Sequence, residues 1–233
     1  MIESRRPAAR SLQQDAAELV RSVKPKLRGW LHAGMTPFAA AAGIVLVCLA
    51  PTARERLGAA AFAFTAVLLF ATSAAYHRGT WSTRVERTLK RMDHSNIFLI
   101  IAGTYTPFAV TLLRGSQELS LLLLVWGGAI LGVLFRVFWV GAPRWLYTPI
   151  YVALGWVAIF YFGPLLDAGG AAVMTLIAVG GGLYTLGAVV YGIKKPNPSP
   201  QWFGFHEVFH SLTILAFISH YVAVSLAIYG HHR

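Results

Sequence analysis

The chain has 233 residues, of which 56% are hydrophobic and only 12% charged, with a mean hydropathy of +0.58. Soluble domains carry about 25% charged residues, so an ordinary soluble globule is excluded, and 13% aromatics excludes a disordered chain. A net charge of +11 would suggest nucleic acid in a soluble protein; beside apolar spans it points to an anionic membrane surface instead, and no nucleic-acid partner is expected.

Residues 1–29 hold seven basic residues and three acids. Leu12, Ala16, Leu19, Val20, Val23 and Leu27 fall at helical spacing after Ser11, a residue suited to cap a helix start. This pattern predicts a basic cytoplasmic tail with an amphipathic helix lying on the membrane. It is not the pattern of a signal peptide, because acids interrupt it and no short apolar stretch leads to a small-residue cleavage site. Residues 30–233 then form one membrane domain.

A crossing helix needs about 20 mostly apolar residues. Seven runs qualify, at about 30–50, 57–77, 94–113, 119–139, 145–164, 171–192 and 206–229. They do not alternate apolar and polar residues as barrel strands do, so the expected fold is an all-α integral membrane protein, a seven-helix bundle. With the N-terminus inside, sixteen of the twenty Lys and Arg lie on the cytoplasmic side, including Arg78, Arg84, Arg87, Lys90 and Arg91 between the second and third spans. The excess predicts a cytoplasmic N-terminus, an outside C-terminus and a multi-pass place in the cell (inner) membrane. Gly128, Gly132 and Gly180–Gly182 predict close helix packing, and Pro107 and Pro149 predict kinks. The lone Cys48 excludes an intrachain disulfide and a cysteine metal site.

Ionisable groups inside a membrane are costly and tend to be functional. His77 ends the second span, Asp93 and His94 open the third, and His206 and His210 open the seventh. In the expected orientation all of these lie at the cytoplasmic level. His206 and His210 are one turn apart on one helix face, a spacing that chelates one metal ion; the alternative is imidazoles that face headgroups. His77 is a candidate third ligand, with Ser73 one turn deeper on the same face. Three imidazoles suit zinc and leave a position for water. Asp93 and His94 are about 100° apart on a helix and cannot both face one centre. Asp93 is taken as the inward group, able to orient a water and accept its proton, or else as the cap of the third span. His32 sits at the inner end of the first span, His220 reads as a buried hydrogen-bonding residue, and Glu207 as facing a loop or the headgroups. His231 and His232 read as terminal. Haem ligation fits less well, since haem ligands face each other across a bundle.

The stretches Ser73-Ala74-Ala75-Tyr76-His77-Arg78, Met92-Asp93-His94-Ser95, Ala102-Gly103-Thr104-Tyr105-Thr106-Pro107-Phe108 and Trp202-Phe203-Gly204-Phe205-His206-Glu207-Val208-Phe209-His210, with His220-Tyr221, resemble the hemolysin III family. That family is grouped with the progestin and adiponectin receptors and is distantly similar to alkaline ceramidases. The resemblance covers about residues 30–230. It implies a seven-helix fold, zinc held by His77, His206 and His210 near the inner leaflet, Asp93 at a water on the metal, Ser73 beside the site, and lipid-amide hydrolysis.

The expected function is therefore a zinc-dependent hydrolase acting on a lipid amide or ester. Asp93 would take the proton and Ser73 would hydrogen-bond the oxyanion. Membrane lipids are the expected partners, with an acyl chain in the bundle. A sensor or receptor with structural zinc is one rival. A pore-forming cytolysin, resting on the family name, is another. The substrate, the oligomeric state and any protein partner are not specified by the residues.

Overall fold

A computed structural model describes residues 25–230. Among these residues the chain is helical, with one isolated bridge between Ser199 and Phe203 and no strand. The helices are α1 (Trp30–Leu49), α2 (Ala53–Arg78), α3 (Thr83–Leu112), α4 (Gly115–Phe138), α5 (Arg144–Gly155), a 3-10 turn (Val157–Tyr161), α6 (Phe162–Ile193) and α7 (Phe205–Gly230). Six helical runs, with 144–193 taken as one, are long and apolar enough to cross a membrane. Their outer faces carry large apolar side chains, such as Phe38 and Phe138. Exposure on that scale would be a liability in water and is expected against lipid.

α3 is the axis of the bundle. Of its most apolar stretch 72% is enclosed, against 22% for α1. It packs mainly against α2 and α4 and also touches α5, α6 and α7. Small residues set the close approaches. A Cβ on Gly103 would collide with Thr65, one on Gly132 with Phe98, one on Gly128 with Leu154, and one on Gly180 with the His220 ring. The expected close packing is found at Gly128, Gly132 and Gly180, while Gly182 faces open space.

Two element boundaries differ from expectation. The polar stretch 78–93, expected as a loop, is mostly the first turns of α3, which starts at Thr83 behind the N-cap Ser82. Its residues are good helix formers, so the helix runs on beyond the apolar span. Asp93 is therefore interior to α3 and does not cap it. The fifth expected span, 145–164, is broken: α5 ends at Gly155, a 3-10 turn follows, and α6 begins at Phe162. The Tyr105 hydroxyl fills that break, donating to the Gly155 carbonyl at 2.6 Å and accepting from the Ala158 N–H at 2.8 Å.

Inside α6, Gly170 has φ 75° and ψ 173°, a backbone region that only glycine adopts readily. Arg144 donates to the Tyr191 carbonyl, Tyr147 and Tyr191 hydroxyls meet at 3.1 Å, and Trp156 donates to Thr185 at 2.9 Å. These cross-contacts lay the segments before and after Gly170 side by side, antiparallel. Residues 11–24 of the expected amphipathic helix lie outside the described residues, and 26–29 form turns.

Candidate functional site

The entrance to α7 is built by a short loop. Lys194 ends α6 in the left-handed conformation. Asn197 Oδ1 then accepts from the Phe205 N–H at 2.9 Å, and Glu207 Oε2 accepts from the Gly204 N–H at 2.8 Å. Two of the helix's free N–H donors are thereby satisfied. Glu207 is fully buried and pairs with Arg28, so it faces a loop, as one half of the expectation had it, and not the headgroups. The reason lies in the segment before α1, whose place against α7 no residue pattern announces. Lys26 and Leu27 donate backbone hydrogen bonds to Gln201 and Trp202, which carries Arg28 onto α7. Gly29, at φ 80°, makes this possible; a Cβ there would meet the Cβ of His77 at 2.9 Å.

With its first turn fixed, α7 turns His206 and His210 towards the end of α2. His206 Nε2 lies 3.1 Å from His77 Nε2. The ring centroids of His206 and His210 are 4.4 Å apart, and those of His77 and His210 are 5.3 Å apart. One nitrogen from each of His77, His206 and His210 lies within 4.8 Å of the others. Asp93 on α3 brings Oδ2 to 3.8 Å from His77 Nε2. Ser73, one turn before His77, is buried within hydrogen-bonding reach of Asp93. All five expected site residues thus converge from α2, α3 and α7.

A cavity of about 790 Å³ opens from this cluster, within the size range of small-ligand sites. Its lining is polar near the imidazoles and apolar along Leu69, Ile97, Ile100 and Ile101.

Three features were not anticipated. His32 from α1 is buried and stacks on His210, with ring centroids 3.7 Å apart and planes 8° from parallel. Neither of its nitrogens has a hydrogen-bond partner. The one signal in the sequence was its depth at the inner end of the first span. Second, His94, turned away from the cluster as the choice of Asp93 as the inward group predicts, has a partner: its Nδ1 lies 2.7 Å from Arg136. An arginine only donates, so His94 Nδ1 accepts and its other ring nitrogen carries the proton. Third, Arg136 itself is 1% exposed. His220 is buried as expected and bonds through Nε2 to the Ile177 carbonyl at 3.2 Å.

Residues 20–221 match the family described as Haemolysin-III related. A stretch of 145 residues is 35% identical to a Bacillus subtilis (strain 168) protein named hemolysin-3 homolog, covering 62% of this chain and 68% of that one. A stretch of 112 residues is 38% identical to hemolysin-3 of Bacillus cereus, covering 48% of this chain and 51% of that one. The match thus spans about half the length of the second relative. The chain belongs to the haemolysin-III-related family and is a multi-pass helical membrane protein.

Proposed function

We propose that this haemolysin-III-related protein is a metal-dependent hydrolase of lipid amides or esters, with zinc held by His77, His206 and His210. One observation carries the reading: three imidazoles and a carboxylate converge on a cavity of about 790 Å³ with an apolar side, room enough for an acyl chain. The donor set fits the ion. Nitrogen ligands placed tetrahedrally about zinc at 2.0–2.1 Å stand roughly 3.3 Å apart, and His77 and His206 Nε2 are 3.1 Å apart. His210 Nδ1 is buried with no hydrogen-bond partner, a desolvated donor atom that a cation would satisfy.

A zinc ion so held supplies Lewis acidity to a substrate carbonyl and acidifies water. The chain's own residues do the rest. Asp93 Oδ2 accepts a proton from water beside His77, and Ser73 orients that carboxylate from below. The Arg28–Glu207 pair fixes the first turn of α7 and thereby the two imidazoles on it. His32 packs flat on His210 and limits its rotation. Leu69, Ile97 and Ile101 offer an acyl chain an apolar wall and keep bulk water from the reacting carbonyl.

The same proposal takes the antiparallel segments on either side of Gly170 as two crossings. That makes seven in all, with the N-terminus in the cytoplasm of an inner-membrane protein, supported by the excess of Lys and Arg on that side.

The test is metal content by elemental mass spectrometry of the detergent-purified protein, beside a His206→Ala/His210→Ala double variant, followed by hydrolysis of a fluorescent ceramide. About one zinc per chain, lost in the double variant, with turnover abolished in His210→Ala, is the expected result. Turnover that survives His210→Ala would reject the mechanism. Zinc without turnover, together with a large loss of thermal stability on chelation, would favour a structural metal that joins α2 and α7. Cytolysis, which the relatives' names carry, predicts conductance in planar bilayers that these variants leave intact.

A further inference from the structure

Among the described residues Arg136 is the largest fully buried side chain. It rises from the last turn of α4 and donates to His94 Nδ1 at 2.7 Å and to the carbonyls of Trp139 and Val140 at 3.4 and 3.3 Å. Its Nε has no partner. Its guanidinium lies 4.4 Å from the centre of the Tyr147 ring. The Tyr147 hydroxyl meets that of Tyr191 at 3.1 Å, and the Arg144 guanidinium lies 4.4 Å from the Tyr191 ring. Two guanidiniums are therefore joined through a pair of hydrogen-bonded tyrosines, contributed by α4, α5 and α6.

A guanidinium taken out of water is costly unless an opposite charge compensates it. Among the described residues the ion pairs are Arg28–Glu207, Arg54–Glu118 and His77–Asp93, and none includes Arg136 or Arg144. Asp93, next in sequence to His94, is turned to His77. Yet Arg136, Arg144, Tyr147 and Tyr191 all line the same cavity as the histidine cluster. Two uncompensated guanidiniums on a cavity wall select an anion. Arg144, which spends one donor on the Tyr191 carbonyl, keeps a fork that fits a tetrahedral oxyanion, while Arg136, its terminal nitrogens bonded to His94, Trp139 and Val140, adds its charge. A doubly charged phosphate monoester neutralises both, whereas a single carboxylate neutralises one. Because Leu69, Ile97, Ile100 and Ile101 give the same cavity an apolar side, the anion is best carried on a hydrocarbon tail.

We propose that Arg136 and Arg144, flanked by Tyr147 and Tyr191, form an oxyanion subsite that holds the phosphate group of a phosphorylated lipid whose tail lies along the apolar wall of the cavity. The inference does not depend on the hydrolase reading, because binding is measured without turnover. The protein in detergent is titrated with oleoyl lysophosphatidate, oleoyl lysophosphatidylcholine and inorganic phosphate, and binding is followed by native mass spectrometry and calorimetry. Charge-assisted hydrogen bonds are strong enough that lysophosphatidate should bind about tenfold or more tighter than the zwitterion. That preference should fall to near unity in Arg144→Gln and be partly kept in Arg144→Lys, which retains the charge and loses the fork. Arg136→Gln should act in the same direction; if the loss of a buried residue prevents its folding, the less buried Arg144 variants carry the test alone. Equal binding of the two lipids, or a preference unchanged in Arg144→Gln, would overturn the proposal. Inorganic phosphate binding as tightly as lysophosphatidate would overturn the assignment to a lipid.

Discussion

Tyr105→Phe removes one oxygen from the bundle and should destabilise it well beyond a surface change. The hydroxyl sits between Gly155 C=O and Ala158 N–H, the pair that a direct 3-10 hydrogen bond would otherwise join. Its loss strands the buried Ala158 N–H, while the carbonyl of the exposed Gly155 can turn to other partners. An unsatisfied buried group costs about 1–3 kcal/mol, so the variant should lose about 1–3 kcal/mol. For a chain of this size that is a fall in Tm on the order of 2–12 °C. Tyr221→Phe is the control. Its hydroxyl makes one bond, at 3.1 Å to the Ala42 carbonyl of α1, and its loss should cost about 1 kcal/mol. The assay is thermal unfolding in one detergent, with hydrogen exchange at residues 155–158 as the local readout. A loss below about 1 kcal/mol with unchanged exchange would refute the reasoning. It would mean that the turn closes directly, and that the tyrosine only occupies a gap already satisfied without it.

Further variants test the packing and the site. Gly180→Ala drives a Cβ into the His220 ring and should cost about 1–3 kcal/mol. Gly182→Ala, two residues on in open space, should be neutral or gain up to about 1 kcal/mol from helix propensity; the same sign for both in thermal unfolding would undo the argument. Glu207→Gln strands Arg28, and since Arg28 keeps 18% of its side-chain exposure the loss should be about 2–3 kcal/mol, below the figure for a fully buried pair. Adding Arg28→Gln should then cost less than the two single losses together, as read from a double-mutant cycle. His32→Ala frees one face of His210 and should weaken zinc affinity about tenfold in a chelator competition, as loss of supporting contacts does at other metal centres; unchanged affinity would make His32 a packing residue only.

The apolar runs mark α1, α2, α4 and α7 to within a few residues and the end of α3 as closely, because in a membrane helix length and hydropathy are nearly the whole signal; the start of α3 lies in polar residues that hydropathy does not mark. The histidine cluster was legible for a related reason. A membrane fixes depth, so polar residues on distant segments can be compared by level before any contact is known. Where the signal failed, the cause was a contact across the chain. The break after Gly155 is held by Tyr105, fifty residues away, and nothing in 145–164 announces it. Glu207 looked peripheral because its partner, Arg28, belongs to a segment with no spanning character. In the sequence Arg136 is one more inner-side charge. Its burial depends on α3, α4 and α5 meeting around it, which periodicity along any one of them does not encode.

The pairing of Arg28 with Glu207 also has a meaning in time. The two residues are 179 positions apart. At a synthesis rate of about 5–20 residues per second, roughly 10–35 s separate the appearance of one from that of the other. During that interval the first six helices are made one after another, and Glu207, the carboxylate that Arg28 pairs with, does not yet exist. Arg28 must wait at the aqueous edge, and His77 with it. Only when the last helix enters can the segment before α1 be drawn onto the loop ahead of α7. The imidazole cluster is thus assembled last, by the final length of chain, and a nascent protein that lacks that length has every earlier helix but no site.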